Sequence, residues 1–311
     1  MKFQLRSGLA AMSLAALSAC GGGSTQIEPF KPTRLLAFGD EQAFLAEGGK
    51  RYGVNALKTG TTTGEVDCAG NPILAQAMAT QFSLVLARCN PDNKPVTGYL
   101  LGAVGAKVAD VKAQIDQHFA ASGTVGPKDL ITLQVGTHDL VEIYQQFPLK
   151  AEAELIELAK TRGKALADQV NRLANANGRI IILTTVDIGL TPYGQAQKAA
   201  HTDTDRAALM GRLTAAFNSA MRLGLIEDGR LIGLALADES IATIAKFPSG
   251  FGFTDVVKAA CTTALPNCTT ATLDAAVGTN TWLWADSLRL GPAGATSVNN
   301  LAVGRAVNNP F

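Results

Sequence analysis

Three short strings in this chain put acidic, basic and imidazole side chains close together: Phe38-Gly39-Asp40-Glu41, Val135-Gly136-Thr137-His138-Asp139 and Asp286-Ser287-Leu288-Arg289. A carboxylate beside an imidazole can exchange protons with water, so Glu41 and His138 form a candidate acid/base pair. Arg289 cannot serve as a base. A guanidinium keeps its proton to above about pH 12 and has no acceptor atom, so it can act only as a fixed cation and donor.

Each string follows a strand-like run. Arg34 to Phe38, Leu130 to Val135, Arg179 to Thr185 and Leu231 to Leu236 are apolar and rich in branched residues, and Trp282 to Trp284 reads as a further short strand. Between them lie stretches with apolar residues at helical spacing: Pro72 to Leu86, Lys107 to Phe119, Ala151 to Ala176, Ala207 to Leu223 and Ala293 to Val303. Strands alternating with helices predict an α/β fold, a three-layer sandwich with a central parallel sheet, and Arg179 to Thr185 has the continuous apolar character of a central strand. Such sheets bind ligands beyond the carboxyl ends of their strands, where the three strings fall. With no internal repeat, second linker or composition shift, residues 33–311 read as one domain.

The chain has 311 residues, 47% hydrophobic and 17% charged, with a formal charge of +1, an ordinary globular balance that excludes general disorder. No basic run interleaved with aromatics is present, which excludes nucleic acid as a partner. Lys2 and Arg6 precede an apolar stretch, Leu9 to Leu17, that is too short to span a bilayer, and Leu17-Ser18-Ala19-Cys20 follows. This string resembles the bacterial lipobox, which implies a signal peptide over 1–19, lipidation of Cys20, and a flexible tether over 20–32 that includes Gly21-Gly22-Gly23-Ser24-Thr25. Gly21 after the cysteine implies the outer membrane of the cell envelope. Removing 1–19 leaves 25 basic against 26 acidic residues, so no electrostatic steering of a charged partner is expected.

Cys68, Cys89, Cys261 and Cys268 remain, an even number in an exported chain, and sequence alone permits three pairings. Neighbours are the expected pairs, Cys68 with Cys89 and Cys261 with Cys268, because each flanks a short segment containing Pro or Gly. His118, His138 and His201 are too scattered to argue a metal site, and no cofactor is expected. His118 reads as a residue at a helix surface or boundary, His201 as part of a polar helix-start loop, and Thr184, Thr185 and Asp187 as turn and cap residues. Trp282 and Trp284 are expected to split, one packing inward and the other facing a helix or the cleft.

The order of these strings resembles the GDSL-type lipases and acylhydrolases, or SGNH hydrolases, over most of the mature chain. Residues 38 to 41 resemble the opening Phe-Gly-Asp-Ser block, Gly102 to Ala106 the block whose glycine lends an oxyanion amide, Gly136 to Asp139 the Gly-x-Asn-Asp block, and Asp286 to Arg289 the Asp-x-x-His block. Phe217-Asn218 and the stretch from Phe247 to Cys261 resemble its spacer segments. The resemblance implies serine esterase chemistry: Ser attacks the acyl carbon, His takes its proton, Asp orients the His, and Ser, Gly and Asn donors hold the oxyanion. Here Glu41 stands at the nucleophile position, Arg289 at the base and His138 at the Asn donor, whereas Asp286 and the oxyanion glycine, Gly105, match; Gly39, Asp40, Gly136 and Asp139 support the motifs. Losing nucleophile and base together costs about a millionfold in rate. If the fold is kept, Glu41 faces Arg289 with Asp286 nearby, an ion-pair network in place of the dyad. The leading expectation is a catalytically degenerate binding or structural module, with an acyl or glycan ligand as candidate. The alternative is an ester hydrolase working through Glu41 and His138.

Overall fold

The computed structural model describes residues 29–60, 64–121, 123–277 and 281–311. The expected signal peptide, Cys20 and most of the tether lie outside the described residues. Phe30, at the end of that tether, packs edge-on against Phe82 and Phe311, so packing begins a few residues before the expected boundary at 33.

Five strands, β1 (Arg34–Gly39), β2 (Gly98–Leu100), β3 (Asp129–Gln134), β4 (Arg179–Leu183) and β5 (Ile232–Ala235), form one sheet in the order β2-β1-β3-β4-β5. Every pairing in it is parallel. This is the flavodoxin-like order, in which the chain leaves β1 in one direction for β2 and later returns to its other side as β3. The switch point therefore lies between the ends of β1 and β3, which are in register through Gly39 and Gln134. The loops after these two strands diverge and open a crevice, and they carry Glu41 and His138.

Alternate residues along the strands feed two cores. Leu36, Phe38 and Ile131 pack under α2 (Val108–Ala120), α3 (Thr137–Tyr144), α4 (Glu152–Asn175) and α6 (Arg206–Gly224). Leu35, Ala37 and Leu130 pack on the other face under α1 (Leu74–Gln81), α7 (Ala237–Lys246) and α8 (Pro292–Asn308). The remaining helix, α5 (Pro192–Ala200), leads into α6. The result is the three-layer α/β architecture with a central parallel sheet.

Several elements differ from the sequence reading. The helix expected over Pro72 to Leu86 ends at Gln81, because Ser83 takes a left-handed φ of 55° and Leu86 turns into an extended bridge beside Gly98. The run from Arg179 is an interior strand, but the middle strand of the five is β3. Trp282–Trp284 is a strand, β7, outside the main sheet; it pairs with β6 (Asp255–Ala259). Its two tryptophans are both buried and meet different surroundings: Trp284 faces the cleft beside Glu41, whereas Trp282 lines a second cavity with Val54, Ala260 and Leu273.

The cysteines pair as neighbours, Cys68 with Cys89 and Cys261 with Cys268. Asn55 ties the 51–55 segment to the second stapled loop: it is fully buried, its Oδ1 accepts from the Arg51 amide, and its Nδ2 donates to the carbonyls of Pro266 and Cys268. Among the described residues, no helix is long and apolar enough to cross a membrane.

Candidate functional site

Two glycines make the crevice possible. Gly39 ends β1 at φ 120°, and a Cβ there would lie 2.0 Å from the Gln134 carbonyl oxygen. Gly136, at φ 130°, would put a Cβ 2.4 Å from Thr185 Oγ1. Only glycine fits either position, and each turns the chain sharply out of the sheet. Gln114 from α2 clamps the first turn, accepting from the Gly39 amide and donating to its carbonyl at 2.8 and 2.9 Å. Asp40 then caps a short 3-10 turn, Glu41–Ala43, by accepting from the Gln42 amide. The backbone of Gly102 packs on the same bend, where a Cβ would meet the carbonyls of Asp40 and Gly39 at 2.8 and 2.9 Å.

Glu41 is 4% exposed and sits between the side chains of Arg289 and His138. Arg289 donates to its Oε1 from Nε at 2.9 Å and also from Nη2. His138, in the first turn of α3, places Nε2 3.0 Å from Oε1 and 3.3 Å from Oε2. Because an ionised carboxylate only accepts, His138 Nε2 carries the proton in this contact. The other edge of the guanidinium is held by Asp286, whose Oδ2 accepts from Nη1 at 2.7 Å. The Asp286 Oδ1 fixes its own loop by accepting from the amides of Leu288 and Arg289. Tyr193 at the start of α5 donates its amide to the Ser287 carbonyl, and the Tyr52 ring lies 5.7 Å from the Arg289 guanidinium carbon.

The electrostatics follow from these contacts. Burial alone would raise the pKa of Glu41, but the His138 hydrogen bond and the Arg289 charge outweigh it and bring the carboxyl down to about 2. Its hydrogen bond to Glu41 raises His138, against the opposing effect of burial. Arg289 is desolvated, which weakens its hold on the proton, yet Glu41 and Asp286 more than restore it. Asp40 has no cationic side chain in hydrogen-bond contact; burial and the neighbouring Glu41 charge push it up to about 7. A carboxylate held near 2 is a poor general base at neutral pH, since it has little affinity for the proton it would have to take.

Asp139 points away from this cluster. It is fully buried, accepts from the Val108 amide at the start of α2 at 3.0 Å, and lies 3.4 Å from Arg162; burial raises it to about 6. Its place is to tie α3 to α2. Gly105 takes φ 73° and is not part of the cavity wall beside Glu41. Thr184 and Thr185 act as turn and cap residues: Thr184 Oγ1 donates to Asp238, and Thr185 Oγ1 donates to the Val135 carbonyl. Asn218 braces the same exit, bonding both the amide and the carbonyl of Thr185. His118 stacks edge-on to Phe38, and His201 ends α5 ahead of the Asp205 cap of α6. Among the described residues, no group of three His, Cys, Asp or Glu side chains could hold a metal ion.

The sequence reading did not single out Gln134 and Asn299, which also line the cavity, nor Tyr52 and Gln114. Of the two tryptophans, one of which was expected to face a helix or the cleft, Trp284 forms part of that wall. Gln134 was findable as the residue facing Gly39 across β1 and β3. The others come from loops and helices distant in sequence, without a motif of their own.

The sequence matches no protein-family model and no curated protein. Solved structures do resemble it. An acetylxylan esterase from Geobacillus stearothermophilus is 14% identical, with 90% of this chain and 96% of that chain covered and a TM-score of 0.45. LAE5, an alpha/beta hydrolase enzyme from the metagenome of Lake Arreo, Spain, is 16% identical over 88% of this chain and 96% of that one, at a TM-score of 0.43. A member of the lipolytic protein G-D-S-L family from Veillonella parvula is 12% identical over 87% and 96%, at 0.42. Identities this low say nothing of activity.

Proposed function

We propose that this chain is a GDSL-type acylhydrolase-like protein whose hydrolytic centre has been replaced by a closed ion-pair network, leaving a binding or structural module of the bacterial cell envelope. The observation that carries this reading is the contact of the Arg289 guanidinium with Glu41, at the positions where the resemblance implies base and nucleophile. Glu41 brings no hydroxyl, and its negative charge would oppose a developing oxyanion. Arg289 accepts no proton. The lipobox-like string at Cys20 supports attachment to the membrane, with the outer membrane favoured by Gly21.

A serine-reactive fluorophosphonate probe tests the first part: the purified protein stays unlabelled, and covalent labelling at any serine of the crevice would refute the reading. For the anchor, Cys20→Ala should move the protein from the membrane fraction to the soluble one, and an unchanged distribution would count against it.

A second reading draws on the 3.0 Å contact between His138 and Glu41. With Nε2 held by the carboxylate, His138 Nδ1 could activate water for ester hydrolysis without a serine. Such an enzyme would resist fluorophosphonate yet lose its turnover in His138→Gln.

A further inference from the structure

Cys20 lies ten residues ahead of Phe30, and Phe30 packs against Phe82 and, at 5.2 Å, against Phe311. Fully extended, ten residues of chain reach at most about 35 Å. With a lipid on Cys20, the edge where Phe30 joins the fold therefore stays within that distance of the bilayer. This edge carries the amino ends of the strands: Thr33, ahead of β1, donates its amide to the carbonyl of Lys128, ahead of β3.

Three helices run back from the carboxyl ends of the strands, and each finishes at this edge on exposed apolar side chains. Leu223, 86% exposed, is in the last turn of α6, ahead of the loop that leads to the start of β5. The helix α7 follows β5 directly, buries Ile241 and Ile244 against the sheet, and ends at Phe247 and the 3-10 turn Pro248–Phe251. Phe247 and Phe251 are 56% and 53% exposed. In α8, Val307 is exposed, and Asn309 just beyond the helix donates to the Gly229 carbonyl ahead of β5. The Phe247 turn is held firmly, since Phe253 is buried and donates its amide to the Pro248 carbonyl.

Large apolar side chains left in water on a well-held turn mark a surface that meets a partner. Basic residues accompany them. Lys246 and Arg305 occupy the last turns of α7 and α8, and Lys246 Nζ lies 5.3 Å from the centre of the Phe247 ring. Exposed Phe and Leu with Lys and Arg alongside compose a surface that lies in the lipid headgroup layer. Glu227 and Asp228 are on the same edge, with Asp228 held by Arg230, so the attraction to anionic lipid is modest and the apolar side chains carry the contact.

We propose that this edge faces a phospholipid bilayer, with Phe247 and Phe251 entering the headgroup layer, Leu223 and Val307 on the same front, and Lys246 and Arg305 meeting lipid phosphates. The orientation rests on the lipid-anchor reading of Cys20. It turns Glu41 and Arg289, at the opposite ends of the strands, away from the membrane. A few side chains bury little apolar area, so the surface orients an anchored protein and does not replace the anchor.

The test is fluorescence quenching by brominated lipid in vesicles of phosphatidylethanolamine and phosphatidylglycerol, read on the full lipidated protein at saturating lipid. Single tryptophans are introduced as Phe251→Trp, Leu223→Trp and Leu149→Trp, and the signal of the unaltered protein, from buried Trp282 and Trp284, is subtracted. Leu149, 94% exposed, precedes α4, whose 24 residues span about 36 Å and end just ahead of β4, so it lies at the far end of the molecule. Quenching in Phe251→Trp and Leu223→Trp should exceed that in Leu149→Trp at least threefold. Adding Phe247→Ser and Lys246→Gln to Leu223→Trp, both at exposed positions and so safe for folding, should lower its quenching at least twofold. Equal quenching at the three positions would overturn the proposal, as would quenching of Phe251→Trp that is absent or quenching of Leu223→Trp that ignores the added substitutions. The edge would then serve a protein partner or none. Flotation of the vesicles reports the anchor separately: a protein that fails to float unaided, yet is quenched in the expected order at saturating lipid, refutes the anchor and leaves the surface standing.

Discussion

Replacing Arg289 with alanine strands a carboxylate in a pocket built around its partner. Side-chain exposure is 5% for Glu41 and 21% for Arg289, so the pair is buried on the acidic side and only slightly open on the basic side. Removing one member of such a pair typically costs about 3–5 kcal/mol, most of it the penalty of an uncompensated charge. His138 stays in contact with Glu41 and offsets part of that loss, which places Arg289→Ala near the lower bound, about 3 kcal/mol. For a chain of this size each kcal/mol moves the melting temperature by roughly 2–4 °C, so a drop of about 6–12 °C is expected. Glu41→Ala leaves Arg289 with Asp286 and should cost less, about 2 kcal/mol. In the double variant the buried Glu41 charge is gone and only the more exposed Asp286 loses its partner, so its cost should fall short of the summed single costs by about 2 kcal/mol. The assay is urea denaturation of the four proteins, followed by circular dichroism and by Trp284, which lines the same cavity. Additivity within about 0.5 kcal/mol would refute the reasoning, because it would mean that the two side chains do not interact in solution.

Stability should peak in mild acid. Asp40 and Asp139 have pKa values raised from 3.8 to about 7 and about 6, so the fold holds their protons more tightly than the unfolded chain does, and stability is lost as pH climbs through those values. Glu41, lowered from 4.5 to about 2, contributes the opposite way: its contribution is present above 4.5 and lost on further acidification. The melting temperature should be highest near about pH 4 and decline toward pH 7, and Asp40→Asn should flatten that decline; a curve that rises from pH 5 to 7 would contradict the assignment. Gly136→Ala must place a Cβ 2.4 Å from Thr185 Oγ1 at φ 130° and should cost about 2–4 kcal/mol, measured by the same denaturation; a loss below about 0.5 kcal/mol would show that the turn relaxes freely. Reducing Arg51, whose guanidinium is buried among the carbonyls of residues 67 to 71, to methionine should loosen the Tyr52 arm, seen as faster amide exchange over 51–57 with β3 unaffected.

The strands were legible because their apolar runs are nearly uninterrupted, as in Ile180-Ile181-Ile182-Leu183, the pattern of a parallel strand buried on both faces. The positions of Asp40, Glu41 and His138 were legible because each closely follows a strand of the main sheet, and parallel strands collect their exits at one edge; Arg289 follows β7, outside that sheet, and was legible only through the resemblance of Asp286 to Arg289 to a family motif. The helix α3 was not read, since Thr137–Tyr144 offers only two turns and starts directly from the strand-ending glycine. Nor was the stop at Gln81, where Leu74, Met78, Phe82 and Leu86 keep helical spacing while the backbone leaves the helix at Ser83. Gln134 and Asn299 reach the cavity wall from β3 and α8, and no sequence pattern records that they meet there.

The central claim is that the acid at position 41 and the guanidinium at 289 close a site in which serine and histidine would work. It is tested most directly by the initial rate of 4-nitrophenyl acetate hydrolysis by the unaltered protein and by the Glu41→Ser/Arg289→His double variant, compared under identical conditions. The account predicts a rate at the buffer background for the first. It predicts a gain of at least about 100-fold for the double variant over either single substitution, with Asp286 placed to orient the new imidazole. Turnover by the unaltered protein that equals or exceeds that of the double variant would contradict it.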